Sequence, residues 1–256
     1  MLRRNIATPS RAEPLPEAVH IVVAAITMFV GAIVVGTLGF GLGITTTPVL
    51  LLVLDPQTVV VVAVSVGVGV FAIVFAQSRR SVPAKEMVPI GLAGLLGAIL
   101  GVFVLNSASS SALRIGITLL VLVTATAVSL NLGRSRFLGP PLGFVAGALI
   151  SASGIGGPLL VVYLLNRGWS AQVMRASLSL YFLIVMGTGG VGYGVSGLFT
   201  TERLALILFV GVPVLLGFWL SGTLRRRLSE RSLPVIVLAV IMSTSVMVLV
   251  RELRRI

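Results

Sequence analysis

The chain consists largely of apolar runs of about 20 residues, and this pattern limits what it can fold into more than any other feature. Of its 256 residues, 57% are hydrophobic and 10% are charged, whereas soluble domains carry about 25% charged residues. A run of about 20 apolar residues forms a helix that is long enough to cross the hydrocarbon core of a bilayer. The sequence therefore predicts an all-α polytopic membrane protein.

The runs predict about eight transmembrane helices joined by turns and charged loops. An early turn is expected at Asp55-Pro56, because proline disfavours helix in the residue before it. Residues 1–18 are expected to form a cytosolic tail rather than a cleaved signal, and residues 251–256 a basic C-terminal tail. The predicted spans are residues 19–38, 58–77, 88–106, 113–132, 138–150, 172–195, 203–223 and 233–250.

Two glycine-rich segments, residues 39–48 and 151–158, interrupt the apolar runs, and each ends in proline. Glycine weakens a helix, whereas proline is a favourable first helical residue because its missing N–H would be unpaired there. Each segment therefore predicts the end of one helix and the start of another, at Pro48 and at Pro158. In a bilayer the freed backbone groups must face protein or a water-filled cavity, and paired interruptions are typical of a transporter's substrate site.

The two halves of the chain can be aligned with each other, which predicts an internal duplication. Residues 19–132 would form a first four-helix repeat and residues 138–250 a second, with residues 133–137 as the linker loop. Since each repeat would contain four spans, both repeats would have the same orientation in the membrane. The alignment places Pro48 on Pro158, Ser65 on Ser177 and Gly97 on Gly217.

The two interruptions have the features of an anion-binding site. A half-helix that begins at Pro48 or Pro158 points free N–H groups and the positive end of its dipole into the interruption. Glycine lets a ligand approach the backbone closely, and nearby hydroxyls, including that of Ser151, add donors. The alternative is that these are packing glycines and a proline kink, and the paired placement favours binding. The substrate-binding candidates here are Gly41, Gly43, Thr45, Thr46, Thr47, Pro48, Ser153, Gly154, Gly156, Gly157 and Pro158.

Arg175 is the one cation expected near a span interior, where it would either attract an anion or extend its charge to the membrane surface. Ser65 and Ser177 are further binding candidates, although a helical serine can also bond its own backbone. No Asp or Glu lies deep in a predicted span, so a carboxylate proton relay is not supported. The chain lacks cysteine, and no metal or cofactor is expected.

The net charge of +12 comes from arginine-rich loops and tails, and it indicates membrane orientation and contact with anionic lipid headgroups rather than nucleic-acid binding. With the N-terminus inside, the loop at 79–86 would be cytoplasmic, whereas Arg167, Arg175 and residues 225–231 would lie outside. The last cluster conflicts with the rule that cytoplasmic loops are rich in positive charge. The sequence leaves the oligomeric state open.

Taken together, these motifs resemble the two signature regions of the sulfite exporter TauE/SafE family. The first region is the segment ending in Pro48, followed by the Asp55-Pro56 turn and Ala63-Val64-Ser65. The second region is Gly154-Ile155-Gly156-Gly157-Pro158 with Arg175-Ala176-Ser177-Leu178. The resemblance covers residues 19–250 and implies a duplicated four-helix fold in a bacterial-type plasma membrane. It also implies movement, by export, of sulfite, sulfoacetate or related sulfur-containing or organic anions.

The leading hypothesis is a secondary transporter or facilitator for a small anion, not an enzyme. An intramembrane hydrolase is disfavoured, because Ser153 would need a base and the single histidine, His20, is distant in sequence at a predicted surface. The other alternative is a non-transporting membrane scaffold or assembly subunit, since buried glycine packing would serve that role equally well.

Overall fold

The computed structural model describes residues 17–113, 115–117, 119 and 139–227. The span predicted at 233–250 and most of the span predicted at 113–132 lie outside the described residues. Within the described residues the regular structure is helical, with no strand. The helices are α1 (Glu17–Leu38), α2 (Leu42–Leu50), α3 (Pro56–Ser78), α4 (Ala84–Ser107), α5 (Gly139–Ser153), α6 (Gly157–Leu165), α7 (Ala171–Val195) and α8 (Thr201–Arg227), with a short 3-10 turn at Arg79–Ser81.

Five of the described helices, α1, α3, α4, α7 and α8, are long and apolar enough to cross a membrane. Helix α5 is apolar but has only 15 residues, which is a length of about 22 Å. The described part of the chain is therefore an all-α, multi-pass membrane protein.

The central helices α3 and α7 begin at polar capping residues. The Asp55 carboxylate accepts the N–H of Thr58 at 3.0 Å, and Pro56 occupies the first turn. The Ser170 hydroxyl accepts the N–H of Val173 at 3.4 Å. The Asp55-Pro56 turn predicted from sequence is thus the start of α3, since an acidic cap followed by proline favours helix initiation.

Each glycine-rich segment lies at the tip of a helical hairpin. A Cβ built on Gly31 would lie 3.2 Å from Leu42 and would contact Thr46, so α2 runs back along α1. A Cβ built on Gly139 would lie 2.7 Å from the Tyr163 hydroxyl, so α6 likewise returns to the start of α5. Because glycine has no Cβ, the two arms of each hairpin can approach closely.

Helices α3 and α7 pack against each other in antiparallel orientation. The rings of Phe71 and Phe182 stack with their centroids 4.5 Å apart. A Cβ built on Gly67, four residues earlier, would lie 2.6 Å from the sulfur of Met186, four residues later on α7. The expectation that both halves have the same orientation is therefore wrong. A hairpin adds no net crossing of the membrane, so in the described part of the chain the predicted spans 19–38 and 138–150 are each the first arm of a hairpin rather than a net crossing.

The turns that precede α4 and α7 lie on one face of the protein, which we name the Ser81 face. The amide nitrogen of Gln172 donates to the Ser81 hydroxyl at 3.1 Å. Arg167 forms an ion pair with Glu86, near the start of α4. The expectation that Glu86 and Arg167 lie on opposite sides of the membrane is therefore wrong.

The starts of α1, α3 and α8 lie at the other end of the molecule, which we name the Asp55 face. His20, Asp55 and Arg203 line a single surface cavity there. The Arg203 side chain donates to the Thr58 hydroxyl and to the Leu198 carbonyl, both at 2.9 Å. The α1–α2 hairpin thus starts from the Asp55 face and returns to it, whereas the α5–α6 hairpin starts from the Ser81 face and returns to that face.

The outer helices pack in pairs through glycine. A Cβ built on Gly97 of α4 would contact the carbonyl oxygen of Phe144 on α5. A Cβ built on Gly217 of α8 would contact the carbonyl oxygen of Phe29 on α1. The two glycines aligned from sequence therefore make equivalent contacts, each with the first helix of the other half.

Candidate functional site

The two hairpin tips have the same Gly-X-Gly pattern, residues 39–41 and 154–156. Gly39 and Gly154 have φ angles of +83° and +74°, a left-handed conformation that costs other residues about 1–2 kcal/mol. The bounds of the second hairpin follow those of the first by 115 residues: α2 and α6 begin at 42 and 157, and α3 and α7 at 56 and 171. The structure thus aligns Gly39 with Gly154, rather than Pro48 with Pro158.

The two prolines occupy different positions in their helices. Helix α2 begins at Leu42, and Pro48 lies inside it, so the prediction that this helix begins at Pro48 is wrong. The left-handed Gly41 sets the start of α2, and Pro48 near its end forfeits only the hydrogen bond to the carbonyl four residues earlier. Helix α6 begins at Gly157, one residue before the predicted start at Pro158. The second helical position suits proline, because the first helical N–H groups have no partner.

The tips of the two hairpins meet inside the protein. A Cβ built on Gly43 would contact the carbonyl oxygen of Gly154 and would lie 2.8 Å from the carbonyl carbon. The hydroxyl oxygen of Thr47, one turn later, lies 3.3 Å from a Cβ built on Gly154. The structure therefore brings the two glycine-rich segments together, and only glycine fits at position 43.

A small central cavity of about 20 Å³ lies where the tips meet, with room for about one water molecule. The hairpins contribute residues 41–44 and 154–158, and the apolar remainder of the wall comes from Phe71, Phe182 and Met186. Six of the residues predicted from sequence line this central cavity: Gly41, Gly43, Gly154, Gly156, Gly157 and Pro158.

The first turn of α2 presents backbone N–H groups at this cavity. The first helical hydrogen bond joins the N–H of Thr45 to the carbonyl of Gly41 at 3.0 Å. The N–H groups before it have no acceptor within the helix, and Gly41 at the capping position has no side chain to accept from them. Residues 41–44 all line the cavity, so the positive end of the α2 dipole points at it.

Three of the predicted hydroxyl donors bond the hairpin backbone instead. Thr45 and Thr46 donate to the carbonyls four residues earlier, at 2.7 and 2.8 Å. Ser153 donates to the Leu149 carbonyl at 2.6 Å and accepts the N–H of Ile155 at 3.2 Å. These side chains stabilise the tips and do not line the central cavity.

Two other buried hydroxyls flank the second tip and have no hydrogen-bond partner among the described residues. They belong to Thr47, which contacts Gly154, and to Ser151, one turn before that glycine. Both residues are fully buried. Leaving such a group unpaired costs about 1–3 kcal/mol. Neither residue lines the central cavity, so the two hydroxyls lie beside the tip rather than in its wall.

The hydroxyls of Ser65 and Ser177 are also buried without a partner in the described part of the chain. Ser65 lies six residues before Phe71, and Ser177 lies five residues before Phe182. Because α3 and α7 are antiparallel, the two serines lie on opposite sides of the stacked rings. The structure therefore does not bring these two predicted residues together.

Arg175 lies beside the first tip but outside the central cavity. Its Cγ and Cβ lie 3.1 and 3.5 Å from a Cβ built on Gly39. Together with Gln77 and Trp219 it lines a separate cavity of about 420 Å³, named here the Arg175 cavity.

The aromatic wall of the central cavity was not predicted from sequence. The rings of Phe71 and Phe182 are tilted by only 28° relative to each other. A Cβ built on Gly157 would lie 2.8 Å from the edge of the Phe182 ring. In sequence both phenylalanines are ordinary apolar span residues, and only the packing of α3 on α7 identifies them.

A comparison with protein-family models found one described as Sulfite exporter TauE/SafE, which matches residues 23–248. The match covers nearly the whole chain, including both hairpins and the central helices. No curated protein and no solved structure matches the chain.

Proposed function

Because the chain belongs to the sulfite exporter TauE/SafE family, a family of membrane transporters, we propose that it is a secondary transporter or facilitator of a small anion. The substrate class is sulfite, sulfoacetate or a related sulfur-containing or organic anion, and the direction is export from a bacterial-type plasma membrane. The observation that carries the proposal is that both Gly-X-Gly tips line one cavity inside the protein.

The central cavity suits an anion because of its backbone groups. Unpaired N–H groups and the positive end of a helix dipole form an anion site that requires no fixed cation. Glycine at positions 43 and 157 leaves the backbone accessible.

The hairpins supply an inverted arrangement, which is common among transporters that work by alternating access. One hairpin enters from the Asp55 face and the other from the Ser81 face, and α3 and α7 are antiparallel. We assign the chain two repeats of inverted orientation, residues 19–132 and 138–250. Rocking one repeat against the other would expose the tips to each face in turn.

The central cavity must enlarge for the substrate to bind. Its volume of about 20 Å³ accommodates one water molecule, whereas sulfite has a sulfur atom and three oxygens. The hairpins approach each other most closely where Gly43 meets Gly154, so separation of the tips at this contact would provide the space.

We assign the Ser81 face to the cytoplasm. It carries the exposed Arg79, Arg80 and Lys85, and α8 ends toward this face with the first residues of the cluster at 225–231. This placement removes the conflict of that cluster with the positive-inside rule. It also puts the start of α1 on the outer side, contrary to the expectation of a cytosolic N-terminal tail. The chain contains no cysteine, so a single Arg80→Cys variant can be labelled directly. An impermeant maleimide should label it in inside-out vesicles and not in right-side-out vesicles; the opposite pattern would contradict the assignment.

The proposal is tested by anion flux in proteoliposomes, with sulfite, sulfate, sulfoacetate, thiosulfate and simple carboxylates. Gly157→Leu should abolish flux, because the new side chain meets Phe182 and fills the central cavity. Gly69→Leu is the matched control, since a Cβ built on Gly69 has no neighbour within 4 Å. Wild-type flux in a correctly folded Gly157→Leu protein would exclude this site.

If the folded wild-type protein moved none of the anions in the panel, the proposal of anion transport would be contradicted. A stoichiometric partner that co-purifies with it would then favour the scaffold alternative.

A further inference from the structure

The Arg175 cavity occupies the space between α1, α3, α7 and α8 on the side of the Ser81 face. Gln77 lies one residue before the end of α3, and Arg175 is the fifth residue of α7. Both positions are close to the Ser81 face. The volume of about 420 Å³ is ample for a small oxyanion together with several water molecules.

The polar groups of this cavity suit an anion. Arg175 is the one charged side chain among the described residues that line it, and Gln77 adds an amide. The hydroxyl of Ser221 donates to the carbonyl of Phe218 at 2.5 Å and is therefore already engaged. A guanidinium presents parallel N–H groups that match two oxygens of an oxyanion.

The Arg175 cavity and the central cavity lie on two sides of the same three-residue tip. The stem of Arg175 packs on Gly39, with Cγ 3.1 Å from the built Cβ. Gly41, two residues later, lines the central cavity. Movement of residues 39–41 would therefore connect the two cavities.

We propose that the Arg175 cavity is a second oxyanion-binding site, in which Arg175 and Gln77 hold the anion on the side of the Ser81 face before it passes the first tip. This inference deepens the proposed function and depends on it for the identity of the anion. The exposed Arg79, Arg80 and Lys85 surround the same face and raise the local concentration of anions there.

The chain contains its own reporter for this site. It has two tryptophans, and Trp219 lines the Arg175 cavity. Trp169 stacks with Arg167 at 5.7 Å, and a Trp169→Phe substitution keeps an aromatic ring there. In that background the fluorescence of Trp219 is measured in liposomes with iodide as the anionic quencher and acrylamide as the neutral quencher.

We expect iodide to quench Trp219 with a Stern–Volmer constant on the order of tenfold larger than in Arg175→Gln, and sulfite to protect against it. Acrylamide should quench both proteins equally, which shows that access to Trp219 is unchanged. Arg175→Lys should retain most of the iodide effect because it keeps the charge. Arg80→Gln, at an exposed arginine outside the cavity, should lower iodide quenching far less than Arg175→Gln does.

Unchanged iodide quenching in Arg175→Gln would overturn the proposal, and so would an equal loss of iodide and acrylamide quenching, which would indicate a collapsed cavity. Gly157→Leu separates the two hypotheses. This variant should lose transport but keep charge-dependent quenching at Trp219. Quenching in the absence of any flux would leave the second site standing while the proposed function fails.

Discussion

Gly43→Ala is the smallest change that separates the two hairpin tips. The added methyl group would contact the carbonyl oxygen of Gly154 and would lie 2.8 Å from its carbonyl carbon. Restoring an ordinary separation of 3.4 Å from that carbon alone takes a shift of ~0.6 Å, and the closer contact with the oxygen requires a larger backbone shift. Both contacted atoms belong to the backbone of Gly154 and cannot rotate away as a side chain could, so α2 or the second tip must move. Overpacking of this kind costs about 1–3 kcal/mol.

The substitution has two measurable consequences. Thermal unfolding of the purified protein should occur roughly 2–10 °C lower. Flux of the transported anion should fall by about tenfold or more, which corresponds to ~1.4 kcal/mol of binding free energy, because the N–H groups of residues 42–44 move relative to the second tip. Gly69→Ala is the control, since the same methyl group meets no atom within 4 Å there.

Wild-type flux and an unchanged melting temperature in Gly43→Ala would refute the close contact between the tips. A lower melting temperature with wild-type flux would refute only the link between this contact and transport. The comparison is made on protein that elutes as a single folded species, so that loss of flux is not loss of fold.

Further predictions concern the residues that hold the hairpins and the Asp55 face. Gly154→Ala should lower the free energy of unfolding by about 1–2 kcal/mol, because its φ of +74° is unfavourable for alanine; equal melting temperatures would contradict this. Ser153→Ala should cost about 1–3 kcal/mol by leaving the N–H of Ile155 unpaired, and a fluorophosphonate should not label Ser153 in the parent. Arg203→Lys should lower the melting temperature, because lysine cannot reproduce the forked donors. Arg80→Lys, on an exposed residue, should leave it unchanged.

The sequence predicted a multi-pass helical protein because apolar length is a local property that any bilayer-spanning helix must satisfy. The family resemblance and the importance of the two glycine-rich segments were also readable, since glycine and proline act on the backbone where they stand. Six of the predicted residues, including Gly43 and Gly157, line one cavity in the structure.

The direction of the chain after each segment was not readable from sequence. Whether α2 continues away from α1 or folds back along it depends on contacts such as that of Gly31 with Thr46, which join residues far apart along the two helices. Because each short helix folds back along the helix before it, the hairpin adds no net crossing of the membrane and α3 and α7 are antiparallel. Arg167 then lies on the same face as Glu86.

Which candidate residues line a cavity, and which bond the hairpin backbone instead, was likewise decided only by tertiary structure. A threonine on a glycine-rich segment can donate to a ligand or to the backbone of its own helix. Thr45 donates to the Gly41 carbonyl, so its hydroxyl stabilises the hairpin. Arg175 lines its own cavity because Gly39 packs on its stem. Composition and spacing determine which elements form; which elements face one another depends on packing between residues distant in sequence.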